Sequence, residues 1–152
     1  MSNQLDAQKL AEAVGDELSR ADQRLMTLLG MELMSMAPGK AVAQMVVRKD
    51  MTNSHGYCQG GLIFTLADHT FAYACMSGNQ AGVTLSANVI YANPAKLGDT
   101  LIATATVTND GGRTATCDVV VEKVEANART LVAQYQGVNY RVRAAVVPSL
   151  AG

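Results

Sequence analysis

One carboxylate, Asp68, stands in the middle of an apolar helical signature, GGLIFTLADHTFAYACM, over residues 60–76. An unpaired carboxylate in such surroundings is costly to bury. No cation lies at helical spacing from it, because positions 64, 65, 71 and 72 are Phe64, Thr65, Phe71 and Ala72. Two structural readings stand beside a chemical one: a salt bridge to another element, or a helix face that reaches solvent. The chemical reading makes Asp68 a general base that activates water, or a nucleophile that forms an anhydride.

Gly60 and Gly61 open the same helix. The first N–H groups of a helix have no intrahelical partner, and its dipole is positive there. Glycine lets a ligand approach that backbone closely. Such a place suits a carbonyl oxygen that gains negative charge during acyl transfer. The structural alternative is a tight helix entry and nothing more. Asp68 lies eight residues beyond Gly60, which is about 12 Å along a helix axis. A base one water away from a carbonyl held at the helix N-terminus must be much closer. One chain cannot readily supply both groups, whereas a two-fold dimer can. The expectation is a site split across an interface.

Other chemistry-bearing residues carry less. Asn53 and His55, in the loop before the helix, can orient water or a substrate carbonyl, although a loop Asn is commonly a turn former. His55 and Cys58 suggest a Cys/His pair, but no third, orienting group accompanies them, and a buried, inert Cys is the alternative. Metal binding by His55, Cys58, His69 and Cys75 fails on spacing. The methionines read as fillers of core and pocket gaps.

The elements that must position these groups follow from periodicity. Leu10, Val14, Leu18, Leu25 and Leu28 share one face of an N-terminal helix over residues 4–29, stopped by Gly30. A short strand near Glu32–Met36, a Pro38-Gly39 turn and the alternating AVAQMVVRK come next. Residues 50–58 are loop. The helix over 60–76 is apolar nearly all round, so its surroundings bury it. Four β-branched stretches follow, at 83–93, 100–109, 113–124 and 130–142, joined by PAKLGD and by the hairpin turns NDGGR and EANAR. Leu101, Ala103, Ala105 and Val107 share one face of the second of these; Thr104, Thr106 and Thr108 share the other. The count implies an α+β fold in which a curved antiparallel sheet wraps one buried helix. No repeat or linker interrupts it, so residues 1–152 form one domain: helix to 29, core over 30–143, and a loose tail over 144–152.

Composition sets the outer bounds. The chain has 152 residues, 49 % hydrophobic, with a net charge of −1 and no basic block. This argues against nucleic acid or an anionic membrane surface as partner. No apolar run approaches the roughly 20 residues of a membrane span. The N-terminal stretch is polar and amphipathic, unlike a signal peptide. Three cysteines without CxxC pairing suit a reduced, cytoplasmic chain.

The pattern N-x-H-x-x-x-x-G-G-x-x-F-x-L-A-D, from Asn53 to Asp68, resembles the PaaI-type branch of the hotdog-fold acyl-CoA thioesterases, named for phenylacetic acid degradation. The likeness extends through FAYAC (71–75), SANVIYANPAKLGDTLIATA (86–105) and the final strand. The resemblance implies a hotdog fold and hydrolysis of acyl-CoA to a carboxylic acid and free coenzyme A, with aromatic acyl groups of phenylacetyl type expected. It places the catalytic acid on Asp68, the carbonyl-polarising N–H on Gly60, the loop asparagine on Asn53, and a water-holding serine on Ser86. It further implies that Asp68 and Ser86 serve from one subunit, and Asn53 and Gly60 from the other. A homodimer, often paired into a homotetramer, with no metal or redox cofactor follows from the same likeness. One departure stands out: Gln59 occupies the position where the family commonly has histidine. Gln donates and accepts hydrogen bonds but does not titrate. Gln59, His55 and Gly61 are therefore expected to contact substrate, with Arg141 and Arg143 placed to meet the phosphates of coenzyme A. A non-catalytic acyl-CoA-binding protein, and a hydratase or dehydratase using His55, are the alternatives on the same fold.

Overall fold

The computed structural model describes residues 2–151. Three α-helices and six strands follow one another along the described residues: α1 (Ser2–Ala21), α2 (Gln23–Leu29), β1 (Glu32–Ala37), β2 (Lys40–Val46), α3 (Gly60–Met76), β3 (Gly82–Tyr91), β4 (Thr100–Asp110), β5 (Thr114–Glu125) and β6 (Ala128–Arg141). All six strands form one antiparallel sheet in the order β1-β2-β4-β5-β6-β3. This is the α+β arrangement expected, with α3 as the helix the sheet wraps.

One row of paired residues crosses the whole sheet: Met36, Ala41, Ala105, Val119, Tyr135 and Val89. The next row inward holds Ala43, Ala103, Val121 and Ala133. Alanines on β2 and β4 leave room for a helix to lie close to the sheet. Leu66, Ala67, Phe71 and Ala74 of α3 fill that room, all buried. The alternation expected for β4 holds: Leu101, Ala103 and Ala105 are buried, and Thr104 and Thr106 face the other way.

The N-terminal helix is not continuous over 4–29. Asp22 leaves helical geometry (φ −91°, ψ 6°) and separates α1 from α2. Its carboxylate accepts a hydrogen bond from the Tyr73 hydroxyl of α3 at 3.0 Å, a partner that periodicity in the first 30 residues cannot reveal. Gly30 does end the segment, in the left-handed conformation (φ 65°). α1 lies on β1: Gln8 donates to the Met36 carbonyl at 2.9 Å, and at Gly15 an added Cβ would overlap Met36. α1 thus packs against the β1 edge, where Glu32, Met34 and Ser35 stay exposed, and at the opposite edge β3 is exposed along nearly its whole length.

The tail is also more ordered than a loose end. Asn79 accepts from the Val147 N–H at 2.8 Å and donates to its carbonyl at 3.1 Å, tying residue 147 to the turn after α3. A 3-10 turn over Pro148–Leu150 follows.

Candidate active site

The loop before α3 is built by Asn53. Its side-chain oxygen accepts from the backbone N–H of His55 (2.9 Å) and of Tyr57 (3.2 Å), an Asx turn that folds residues 53–57. Asn53 is thus the turn former its type suggests, and its amide nitrogen has no acceptor among the described residues. His55 is exposed on the same turn. Cys58 is buried beneath it, and burial pushes its thiol up to about 11. A thiol so protonated is a poor nucleophile, and the Cys58–His55 pair does not form.

Gln59 is the residue before the helix. Its N–H donates to the Met51 carbonyl, and its carbonyl accepts from Leu62 and Ile63. Its side chain makes no cap and is exposed. The N–H groups of Gly60 and Gly61 have no acceptor among the described residues, as a helix N-terminus dictates. The two glycines differ in purpose. At Gly60 a Cβ would come within 3.0 Å of the Tyr91 ring, and Tyr91 donates its hydroxyl to the Gly60 carbonyl at 2.8 Å. At Gly61 a Cβ would meet nothing within 4 Å. Beside Gly60 a cleft of about 290 Å³ is lined by Tyr57, Cys58, Ile63, Tyr91 and Pro94.

Asp68 lies two turns further along α3. It is half-buried, and so are Phe64, Thr65 and Ala72, while Gly61 is exposed. These positions recur every three or four residues and form one stripe that the sheet does not cover. The helix is therefore not buried on every side, and its carboxylate sits on the open side. No ion pair reaches Asp68 among the described residues. Two hydroxyls do: Tyr135 of β6 donates to Oδ1 at 2.6 Å, and Thr84 of β3 donates to the same oxygen at 3.4 Å. Burial, then the hydrogen bond to Asp68 and its charge, push the Tyr135 phenol well above its ordinary range, so the proton stays on Tyr135. His69 turns away from Asp68: its Nδ1 faces Asp22 at 3.9 Å and its ring stacks on Tyr73. Burial lowers the His69 pKa, against the pull of Asp22 and Asp68.

Ser86 does not join Asp68 within the protomer. A bulge between Thr84 and Ser86 pairs Thr84 with buried Asn139 and Ser86 with Val138. Residues directly opposite share a face, so Thr84 takes the side of α3 and Ser86 the other. Nothing in the composition of the strand marks the bulge. Tyr135 was hidden in the same way, reading as one more aromatic in an alternating strand.

Arg141 is already engaged. Its guanidinium grips Asp110 with two hydrogen bonds, 2.5 and 2.8 Å, and donates to the Gly112 carbonyl at 2.8 Å. It closes the β4–β5 hairpin and is not available to a phosphate as expected. Arg143 is exposed and lines a cleft of about 560 Å³ with Gln80, Arg113, Tyr140 and Arg141. Among the described residues no group of three or more His, Cys, Asp or Glu side chains is placed to hold a metal ion.

A helix wrapped by a single antiparallel sheet is the hotdog fold, here with an acid on the helix's open stripe and bare N–H groups at its start. The chain belongs to the thioesterase superfamily, whose family model matches residues 55–128. It is 40 % identical over 114 residues to the acyl-coenzyme A thioesterase PaaI of Escherichia coli, covering 75 % of this chain and 79 % of that one. The solved structure of the E. coli PaaI protein, from the phenylacetic acid degradation operon, matches with a TM-score of 0.86 at 33 % identity, over 91 % of this chain and 97 % of that one. A Streptococcus mutans protein solved bound to acetyl CoA matches with a TM-score of 0.71 at 27 % identity, over 76 % of this chain and 90 % of that one. The PaaI-type hotdog thioesterase is therefore the class to which this chain belongs.

Proposed function

We propose that the protein hydrolyses acyl-CoA thioesters, aromatic acyl groups of phenylacetyl type among them, in a site assembled from two protomers. The observation that carries this reading is Asp68: a carboxylate without an ion pair among the described residues, fixed by hydroxyl donors, on the stripe of α3 that the sheet leaves uncovered. Gly60 N–H supplies the matching electrophilic end. Asp68 and Gly60 lie about 12 Å apart along the unbroken helix, so the two that act together belong to different chains.

The open surface supports that assembly. β3 is an edge strand, and Val83, Leu85 and Ile90 on it are 57, 64 and 59 % exposed. A bare apolar edge invites pairing with a second edge. Thr84 and Tyr91 of the same strand touch Asp68 and Gly60, so the edge and the α3 stripe form one continuous face. Joining two such faces about a two-fold axis brings each N-terminus toward the partner's acid.

In the reaction Asp68 takes a proton from water as the water oxygen bonds to the thioester carbonyl carbon. Gly60 N–H stabilises the oxyanion at the helix N-terminus, where the dipole favours negative charge. The Asn53 amide nitrogen and the Gln59 side chain, both without acceptors among the described residues, orient the carbonyl. Collapse breaks the C–S bond, and the thiolate of coenzyme A regains the proton. Direct attack by Asp68, through an anhydride, uses the same placement. Exposed Arg143 and Arg113 offer charge to the coenzyme A phosphates. The likeness to PaaI of E. coli, an acyl-CoA thioesterase by name, and to a fold solved with acetyl CoA supports the substrate class.

The test is a hydrolysis screen of the purified protein across aromatic and straight-chain acyl-CoAs, with Asp68→Asn beside it. Release of free thiol by the parent, lost in the variant, is expected. Equal turnover by Asp68→Asn, or none by the parent on any acyl-CoA, overturns the reading.

A further inference from the structure

We infer that Tyr135 is the positioning residue for Asp68: its hydroxyl holds Oδ1, so that Oδ2 is the oxygen presented to the reaction. The inference rests on the reading of Asp68 as the acting carboxylate and adds to it which oxygen acts and what holds it.

Tyr135 has a built seat. It is 2 % exposed, at the centre of β6. Its ring packs on Phe64 and Phe71 of α3, each with centroids 5.4 Å away. The neighbouring Gly137 makes the space: a Cβ there would come within 2.7 Å of Phe71 and 2.9 Å of the Tyr135 ring. A ring so held cannot swing, and a buried phenol needs an acceptor. Asp68 Oδ1, at 2.6 Å, is the one it has among the described residues.

Both recorded donors converge on Oδ1, since Thr84 also points there at 3.4 Å. Oδ2 has no protein donor among the described residues. The other groups around the carboxylate do not compete. His69, next on α3, faces Asp22 of the α1–α2 junction. β2 and β4 present Ala41, Ala43, Leu101 and Ala103, which do not titrate. Cys75 of α3 and Cys117 of β5 are buried thiols, close enough that their charges would act on Tyr135. β3 contributes Thr84. The anionic form of Asp68 thus depends on one strong donor, and a hydrogen bond to a charged group is worth more than a neutral one. With Oδ1 held, Oδ2 takes the proton from the attacking water, or itself bonds to the carbonyl carbon.

The experiment compares the parent with Tyr135→Phe, which keeps the ring, and with 3-fluorotyrosine at position 135, a donor of the same shape. The carboxyl carbon of Asp68 is observed by carbon-13 NMR at one neutral pH, its signal identified by its loss in Asp68→Asn. Tyr135→Phe is expected to move that signal and to lower kcat on the order of 10-fold with KM held within about 2-fold. Fluorotyrosine, which keeps the donor, is expected to hold kcat within about 2-fold of the parent. A carboxyl signal unmoved by Tyr135→Phe overturns the inference. The spectrum needs no turnover. A moved signal with full activity in Asp68→Asn sinks the proposed function and leaves the clamp standing. An unmoved signal with a dead Asp68→Asn does the reverse.

Discussion

Tyr91 stands on Gly60: its hydroxyl donates to the Gly60 carbonyl at 2.8 Å, and its ring lies 3.0 Å from where a Cβ at residue 60 would stand. The strand edge and the helix start are therefore set by one contact. Gly60→Ala pushes on an exposed side chain that can swing aside, so the fold survives. Its melting temperature should stay within a few degrees of the parent, while kcat falls about 10-fold or more as the methyl crowds the N–H. Thermal melting and steady-state hydrolysis on one preparation check both halves. A large loss of stability with little change in kcat per folded molecule would mean that Gly60 serves packing alone.

Arg141 and Asp110 are a stability pair, not a substrate site. The Arg141 guanidinium, and then the Gly112 N–H, hold the Asp110 carboxyl down at about 2. A carboxyl lowered in the folded state contributes stability that is full above its unfolded pKa of about 3.9 and is lost as pH falls toward about 2. Asp110 is 55 % exposed, so screening leaves about 1 kcal/mol or less. Urea unfolding at pH 7 and near pH 2.5 should show the parent losing that contribution and Asp110→Asn showing no corresponding loss. KM for acyl-CoA should be unchanged in Asp110→Asn; a several-fold rise would return Arg141 to the binding site.

A charge on the open edge should break the assembly. Leu85 is 64 % exposed at the β3 bulge. Leu85→Lys costs the isolated protomer little, since an exposed site changes stability by about 0.5 kcal/mol or less. It is expected to shift the sedimentation coefficient toward the monomer and to abolish hydrolysis with it. An active monomer would show that one chain supplies the whole site.

Much of this was legible in the sequence, and the exceptions share a cause. The bounds of α3 follow from the apolar run after Gly60, and the strand order along the chain follows from alternation and turn residues. What periodicity cannot carry is contact between distant segments. The break at Asp22 depends on Tyr73, 51 residues away, and the donor to Asp68 comes from Tyr135, 67 residues on. Arg141 read as a free strand-end cation because Asp110 reaches it only once the β4–β5 hairpin has folded. Thr84 and Ser86, which would share a face in a regular strand, take opposite faces through one bulge, which shifts every later side chain by one position. Asn53 was visible as a turn former, and the fold makes it one.

The split site itself is open to a direct measurement. Asp68→Asn and Gly60→Ala each impair every site of their own homodimer. In a mixed dimer, one site combines both substitutions and the other has neither. After subunit exchange of equal amounts, half the dimers are mixed and each carries one intact site. Hydrolysis of acyl-CoA should then recover to roughly one quarter of the parent rate. Recovery to that level is the result predicted. Mixed dimers demonstrated by mass spectrometry, with no activity beyond the average of the two variants, would contradict a site shared between Asp68 of one chain and Gly60 of the other.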